Sequence, residues 1–127
     1  MLSTNNAFNS FAVDDLDGAR SFYGETLGLE VTDEEMGVLN LKLSGDRATM
    51  IYPKPDFAPA TYTVLNFLVD DVDAAVDELA SRGVEFERYD GFDQDEKGIA
   101  RASGGGEPSI AWFTDPAGNI LAVLQTP

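Results

Sequence analysis

Carboxylates are the side chains of this sequence that could carry chemistry, because its 127 residues include no histidine and no cysteine. The commonest general base and metal ligand is therefore missing, and so are thiolate nucleophiles, disulfides and sulfur-ligated metals. Two acidic clusters could in principle hold a cation: Asp14, Asp15 and Asp17, and Asp93, Asp95 and Glu96.

Both clusters are better explained by local structure. Asp14 and Asp15 come just before apolar residues at helical spacing, where a carboxylate accepts hydrogen bonds from unpaired backbone N–H groups. The same pair recurs before a second helix, as Asp70 and Asp71. The segment around Asp93 lacks the full set of alternating ligands and the final bidentate glutamate of a calcium loop. Helix caps and a turn are therefore expected at these positions.

The charge of the chain limits its partners. It has 23 acidic and 8 basic residues, a formal net charge of −15. Such a surface repels phosphate backbones and anionic headgroups, so neither nucleic acid nor a membrane surface is an expected partner. The charge could attract a cationic small molecule or serve only solubility. No apolar run approaches the roughly 20 residues of a membrane helix, and the start lacks signal-peptide features, so a cytoplasmic protein is predicted.

An internal repeat supplies the elements that would position a site. The segment that starts at Val13, VDDLDGARSFYGETLGLEV, returns at Val69 as VDDVDAAVDELASRGVEF. Each copy predicts a strand end, a capped helix, a glycine stop and a second strand. With the remaining alternating segments, the chain is predicted to be a single domain (1–127) with one βαβββ module at 8–52, a proline-rich linker at 53–61 and a second module at 62–125.

The second module contains a long segment, 89–108, with little periodicity. A loop of that length in a compact domain is a binding loop, a lid or a disordered segment. Aromatic side chains on or beside it could stack on a planar ligand or belong to the core, and two acids could face a cationic ligand or sit in turns. These residues are Tyr89, Phe92, Trp112 and Phe113, and the acids Glu107 and Asp115.

The two modules, the repeated V-x-D-[LV]-D opening, the LGLEV and RGVEF segments and the terminal FTDPAGNILAVLQ together resemble the vicinal oxygen chelate superfamily. That superfamily includes glyoxalase I, extradiol dioxygenases, fosfomycin-modifying enzymes and bleomycin-resistance proteins. The resemblance covers nearly the whole chain. It implies an α+β fold in which two tandem βαβββ modules form curved sheets around a funnel. It also implies a homodimer whose funnels use modules from both subunits.

The superfamily's enzymes hold a divalent metal in this funnel, typically with ligands from the first and last strands of each module. The resemblance places those positions at Phe8, Val64 and Ala122, and near Thr49, where the register is uncertain by one residue. None carries an imidazole, carboxylate or thiolate, and a lone threonine cannot hold the ion against water. No metal or other cofactor is therefore expected, and the superfamily's metal chemistry is not carried over to this chain.

The alternation of side chains predicts what lines the funnel instead. The inward set is Phe8, Ser10 and Ala12 on one strand, Val64, Asn66 and Leu68 on another, and Ala122 and Leu124 on the last. This lining is apolar with two neutral hydrogen-bonding groups, which suits a small-molecule pocket. A filled core without a cavity is the alternative. The predicted ligand-binding residues are Phe8, Ser10, Thr49, Val64, Asn66, Trp112 and Ala122.

The favoured hypothesis is a metal-independent binding protein for a cationic or planar small molecule, similar in kind to the antibiotic-sequestering bleomycin-resistance proteins. No catalytic residue is assigned. One alternative is an enzyme, either a glyoxalase I-like lyase or isomerase or a dioxygenase, with unrecognised metal ligands. The other is a partner-binding domain with a collapsed funnel.

Overall fold

The structure of the protein is a computed structural model. It describes residues 1–127, with every side chain except that of Asn6. The chain divides into two compact units, Met1–Pro59 and Ala60–Pro127. The division falls inside the predicted linker. Each unit contains one small sheet and one main helix, so the α+β class is confirmed. No helix in the described chain is long and apolar enough to cross a membrane.

The first unit has a four-stranded sheet. Its strands lie in the order β1-β4-β3-β2, with β1 parallel to β4 and the other neighbours antiparallel. Its elements are a short 3₁₀ turn (Thr4–Asn6), β1 (Asn9–Val13), α1 (Leu16–Ser21), β2 (Val31–Glu34), β3 (Val38–Lys42) and β4 (Ala48–Pro53).

The first helix begins as predicted but ends differently. The side chain of Asp15 accepts a hydrogen bond from the N–H of Asp17 at 3.1 Å, so the predicted cap is confirmed. After Ser21 the chain continues as a π-helical turn, Phe22–Thr26, in which Leu27 N–H donates to the Phe22 carbonyl at 2.9 Å. The first repeat has one residue more before its glycine stop than the second, and the wider turn accommodates that residue.

The two faces of the first sheet differ in burial. One face packs against α1 and the π-helical turn, and it contributes the buried residues Phe11, Leu39, Leu41 and Ile51. Tyr23 is fully buried there, with its ring 5.9 Å from that of Phe11. Because side chains alternate along each strand, the other face carries the intervening residues, which are half-buried or exposed. We call this second surface the open face of the sheet.

The second unit has a three-stranded sheet, in which the first and last strands are again parallel neighbours. Its elements are β5 (Thr63–Leu68), α2 (Val72–Ser81), β6 (Ser109–Thr114) and β7 (Ile120–Gln125). The order is β5-β7-β6, with β5 parallel to β7. Asp71 accepts a hydrogen bond from Ala74 N–H at 3.1 Å, which confirms the second predicted cap.

The second strand predicted in the second copy of the repeat, at 84–88, is reduced to a single bridge between Phe86 and Phe113. Glu87 N–H still donates to the Trp112 carbonyl at 2.8 Å. Beyond it, the side-chain amide of Gln94 donates to the Glu87 carbonyl and accepts from Tyr89 N–H, at 3.0 and 2.9 Å. The Gln94 side chain therefore makes the hydrogen bonds to the Glu87 carbonyl and Tyr89 N–H that a neighbouring strand would otherwise make.

A buried polar pair holds the turn between β6 and β7. Asp115 and Asn119 are 4% and 2% exposed. The Asp115 carboxylate accepts hydrogen bonds from the backbone N–H and the side-chain amide of Asn119, at 2.8 and 3.2 Å. Asn119 in turn accepts from Ala60 N–H at 3.3 Å, at the start of this unit. Of the two alternatives that the sequence left open for Asp115, the structure thus shows the one in which it sits in a turn.

We expect Asp115→Ala to destabilise the protein by about 2 kcal/mol, because it leaves buried donors of Asn119 without an acceptor. Urea unfolding measures this loss. The control is Asp14→Ala, which removes an exposed acid and should change stability by less than about 0.5 kcal/mol. Equal losses in the two variants would contradict the assigned role.

Candidate ligand-binding site

Three predicted site residues form one row on one face of the second sheet. Asn66 in β5 is the partner of Ala122 in β7, and Ala122 is the partner of Trp112 in β6. Partners in adjacent strands point to the same face, so the three side chains are neighbours. Asn66 is exposed, whereas Ala122 and Trp112 are buried. The row joins a neutral hydrogen-bonding group, a methyl group and an indole.

Val64 is the fourth residue of this unit that was predicted to bind the ligand, and it does not belong to that row. The register shifts between Thr63 and Leu65, which pair with the consecutive residues Ile120 and Leu121 of β7. Val64 is thus the extra residue of a β-bulge and has no direct partner in β7. Its side chain is half-buried.

Two aromatic side chains cover Trp112. The ring centroids of Tyr89 and Phe92 lie 5.4 and 4.8 Å from that of Trp112, at interplanar angles of 71° and 57°. Phe92 is itself 55% exposed. Burial, and secondarily the charge of Glu87, raises the pKa of Tyr89. The indole is therefore covered by two rings, of which that of Phe92 is itself exposed.

The segment 89–108 is ordered around Asp95. The carboxylate of Asp95 accepts hydrogen bonds from the N–H groups of Lys97 and Ile99, both at 2.9 Å. Arg88 donates to the carbonyls of Asp95 and Glu96, at 2.8 and 2.9 Å. Desolvation opposes ionisation of Asp95, but the hydrogen bonds from Ile99 and from Arg101 leave its pKa below the ordinary value. This carboxylate orders a turn, which does not fit a calcium loop.

An ion-pair network fastens the same segment to α2. Arg101 donates to Asp73 at 2.7 Å and to Asp95 at 2.9 Å. Lys97 lies 3.3 Å from Asp73 and 3.0 Å from Asp77. The hydrogen bonds from Arg101 hold the pKa of Asp73 well below its ordinary range, against some desolvation. Exposed pairs are individually weak, but here two cations share three carboxylates in one network.

A groove of about 570 Å³ lies between this segment and β6. Phe92, Ile99 and Ile110 give it apolar walls. Glu107 lines it, but this carboxylate accepts hydrogen bonds from the hydroxyl and N–H of Ser103, which lower its pKa to about 2. Glu107 and Asp115 are thus both held in turns.

The predicted residues of the first unit separate onto two faces. Ser10 is on the open face, and Phe8, just before β1, is 67% exposed. The expectation that Thr49 shares their face is wrong. Thr49 is fully buried on the helix-packed side, where its hydroxyl donates to the Asn9 side chain at 2.9 Å. Its neighbours Ala48 and Met50 occupy the open face instead, because the register differs by one residue from the expected one.

Gln94, Lys97 and Arg101 are the structural residues that the sequence analysis missed. Their partners lie from 4 to 28 residues away, so no local periodicity reveals them. The only available signal was the concentration of charge and glycine in a long segment that does not resemble a disordered tail.

A family model described as the Glyoxalase/Bleomycin resistance protein/Dioxygenase superfamily matches residues 7–123. The chain belongs to this superfamily, as the sequence motifs indicated. The comparison with curated proteins gave no match.

Solved structures with the same fold cover nearly the whole chain. One is TnmS3, an antibiotic binding protein from Streptomyces sp. CB03234, with 25% identity and a TM-score of 0.69 over 99% of this chain and 100% of that one. Another is a glyoxalase/bleomycin resistance protein/dioxygenase from Alicyclobacillus acidocaldarius, with 21% identity and a TM-score of 0.70 over 99% and 95%. The fosfomycin resistance protein FosX from Listeria monocytogenes has 17% identity and a TM-score of 0.72 over 98% and 94%.

The residues at which the resemblance places the superfamily's metal ligands do not fit a divalent ion. Phe8, Val64 and Ala122 have no ligating side-chain atom, and the open face of β4 presents Ala48 and Met50. Among the side chains that the structure describes, no group of three or more histidine, cysteine, aspartate or glutamate residues could hold a metal. No chemical step through a metal is therefore derived for this chain.

We expect Asp73→Asn to destabilise the protein at neutral pH and to lose this effect in acid. The pKa of Asp73 is lowered from 3.8 in the folded state, so its ionised form contributes stability above about pH 4. That contribution is lost as the pH falls through the lowered value. Urea unfolding of both proteins between pH 7 and pH 2 measures the difference in free energy.

The control for this experiment is Asp70→Asn, which removes an exposed acid in the same turn of chain. Its effect should be small at every pH. If the loss of unfolding free energy in Asp73→Asn did not shrink in acid, the result would contradict the ion-pair network.

Proposed function

We propose that the protein binds a small molecule without a metal and sequesters it without altering it. The observation that carries this proposal is the row of Asn66, Ala122 and Trp112 on one face of the second sheet. It offers an indole and a neutral hydrogen-bonding group beside a buried methyl group, and no side chain suited to proton transfer. Phe92 covers the indole from an exposed position, which suits a site that opens to admit a ligand.

The similarity to TnmS3, whose name describes antibiotic binding, supports an antibiotic-like ligand. Of the two predicted ligand classes, cationic and planar, the indole favours a planar one at this row, because flat rings stack on aromatic side chains. The net charge of −15 favours ligands that are not anionic.

A fluorescence titration tests this function, because Trp112 is the only tryptophan in the chain. Within a panel of planar and cationic antibiotics, we expect at least one to change Trp112 emission with a Kd of about 1 μM, or roughly −8 kcal/mol. Asn66→Ala should weaken that ligand about fivefold, the effect of one lost hydrogen bond. Thr61→Ala, which removes an exposed polar group outside the row, should not.

Metal removal separates binding from the enzymatic alternative. Treatment with EDTA should leave the affinity unchanged, and elemental analysis should find no stoichiometric transition metal. A tightly held metal would favour the lyase, isomerase or dioxygenase alternative. Affinities no tighter than millimolar across the whole panel would count against the proposed function.

We propose further that the protein acts as a homodimer, as the superfamily resemblance implies. The edge strand β5 supports this, because its backbone has an unpaired side and Leu68 in it is 72% exposed. Sedimentation equilibrium at micromolar concentration should give twice the chain mass. A monomer under those conditions would overturn the dimer and leave ligand binding open.

A further inference from the structure

The segment 89–108 has a base that is fixed to the rest of the second unit. The base, residues 95–101, pairs with β6 through two backbone hydrogen bonds between Ala100 and Ile110, at 2.8 and 3.0 Å. Ion pairs to Asp73 hold the same residues on α2. The base is therefore attached to both the sheet and the helix.

The tip of the segment, residues 90–93, is held much less firmly. All four residues are exposed. In the described part of the chain, the one hydrogen bond within the tip runs from Phe92 N–H to the Tyr89 carbonyl, at 3.4 Å. The other contact is the ring of Phe92 against that of Trp112, with 4.8 Å between their centroids. Exposed turns with so few contacts open locally at a lower free energy than the packed elements beside them.

Gln94 joins the tip to the base. Its side-chain amide donates to the Glu87 carbonyl at 3.0 Å and to the Gly98 carbonyl at 2.7 Å, and it accepts from Tyr89 N–H at 2.9 Å. These hydrogen bonds are partly buried, so losing them leaves backbone groups without partners. One side chain thus connects the residues that precede the tip with the base that follows it.

We infer that residues 90–93 form a short lid over Trp112, with Gln94 as the positioning residue that holds the two ends of the lid together. When the lid opens, Phe92 leaves the indole, while the base stays paired with β6 and α2. A planar ligand then takes the place of the Phe92 ring against the indole. The inference rests on the proposed function, because it describes how access to the row that contains Trp112 is controlled.

Acrylamide quenching of Trp112 fluorescence measures lid opening in the unaltered, ligand-free protein. Trp112 is the only tryptophan and is 8% exposed, so this uncharged quencher reaches the indole when the lid is open. The contacts of the lid are uncharged, whereas those of the base with α2 are ion pairs. Raising the NaCl concentration to about 1 M screens ion pairs and should leave the quenching constant unchanged. A clear rise with salt would show that the whole segment lifts from α2, and it would overturn the inference.

Two variants change the lid itself. Gln94→Met keeps the length of the side chain without its hydrogen bonds, and it should raise the quenching constant about fivefold, the effect of one lost hydrogen bond on the open population. Phe92→Ala removes the cover and should raise the constant at least as much. Because Phe92 is exposed, this variant tests the lid even where Gln94→Met does not fold.

The double variant tests whether Gln94 acts through Phe92. In the Phe92→Ala background, Gln94→Met should add almost nothing to the quenching constant, since no ring is left to position over the indole. Additive effects of the two substitutions would overturn the positioning role of Gln94.

The matched control is D73N/D77N, which removes the two carboxylates of α2 that pair with the base. It should lower the free energy of unfolding and leave the quenching constant at the wild-type value. A rise as large as that of Gln94→Met would show that the ion pairs hold the cover in place, and it would overturn the inference.

The lid and the proposed function can fail separately. Binding within the antibiotic panel, together with unchanged quenching in Phe92→Ala, would overturn the lid and leave the proposed function standing. Raised quenching in both lid variants, with no binding in the panel, would support the lid and count against the proposed function.

Discussion

Parallel pairing of the first and last strands of each unit is the constraint on which the described surfaces depend. β1 pairs with β4 in the first unit and β5 with β7 in the second. A parallel pair needs a crossover connection, and in both units the helix after the first strand is part of it. Each helix packs on one face of its sheet. In the first unit the opposite face is half-buried or exposed, whereas in the second unit the rings of Tyr89 and Phe92 cover Trp112.

The two sheets differ in the side chains that lie against them, although both pair their first and last strands in parallel. In the second unit, Gln94 and Asp95 order the long segment, which places Phe92 over Trp112. The network of Lys97 and Arg101 uses basic side chains to hold that segment on α2. In the first unit the open face bears Ser10, Asn40 and Met50, which are half-buried or exposed. The two copies of the repeat therefore differ in how their sheets are covered.

The resemblance places the superfamily's metal positions at Phe8, Val64 and Ala122, whose side chains carry no metal-ligating atom. A metal ligand must donate an electron pair, and no rotamer of these three side chains can do so. Any ligand specificity at the row of Asn66, Ala122 and Trp112 would come from shape, hydrogen bonding and stacking, because those are the properties that its residues supply.

The sequence by itself determined the α+β class, the two modules, both helix caps and the superfamily, because these depend on local spacing and on side-chain types. Alternation was also enough to place Asn66 and Ala122 on one face. The face of Thr49 was not predictable, since a register shift of one residue moves a side chain to the opposite side of a sheet. Only the tertiary structure decided the row with Trp112, the loss of the 84–88 strand and the pairing of Asp73 with Arg101. Each depends on groups distant in sequence, whose contacts are set by packing and register.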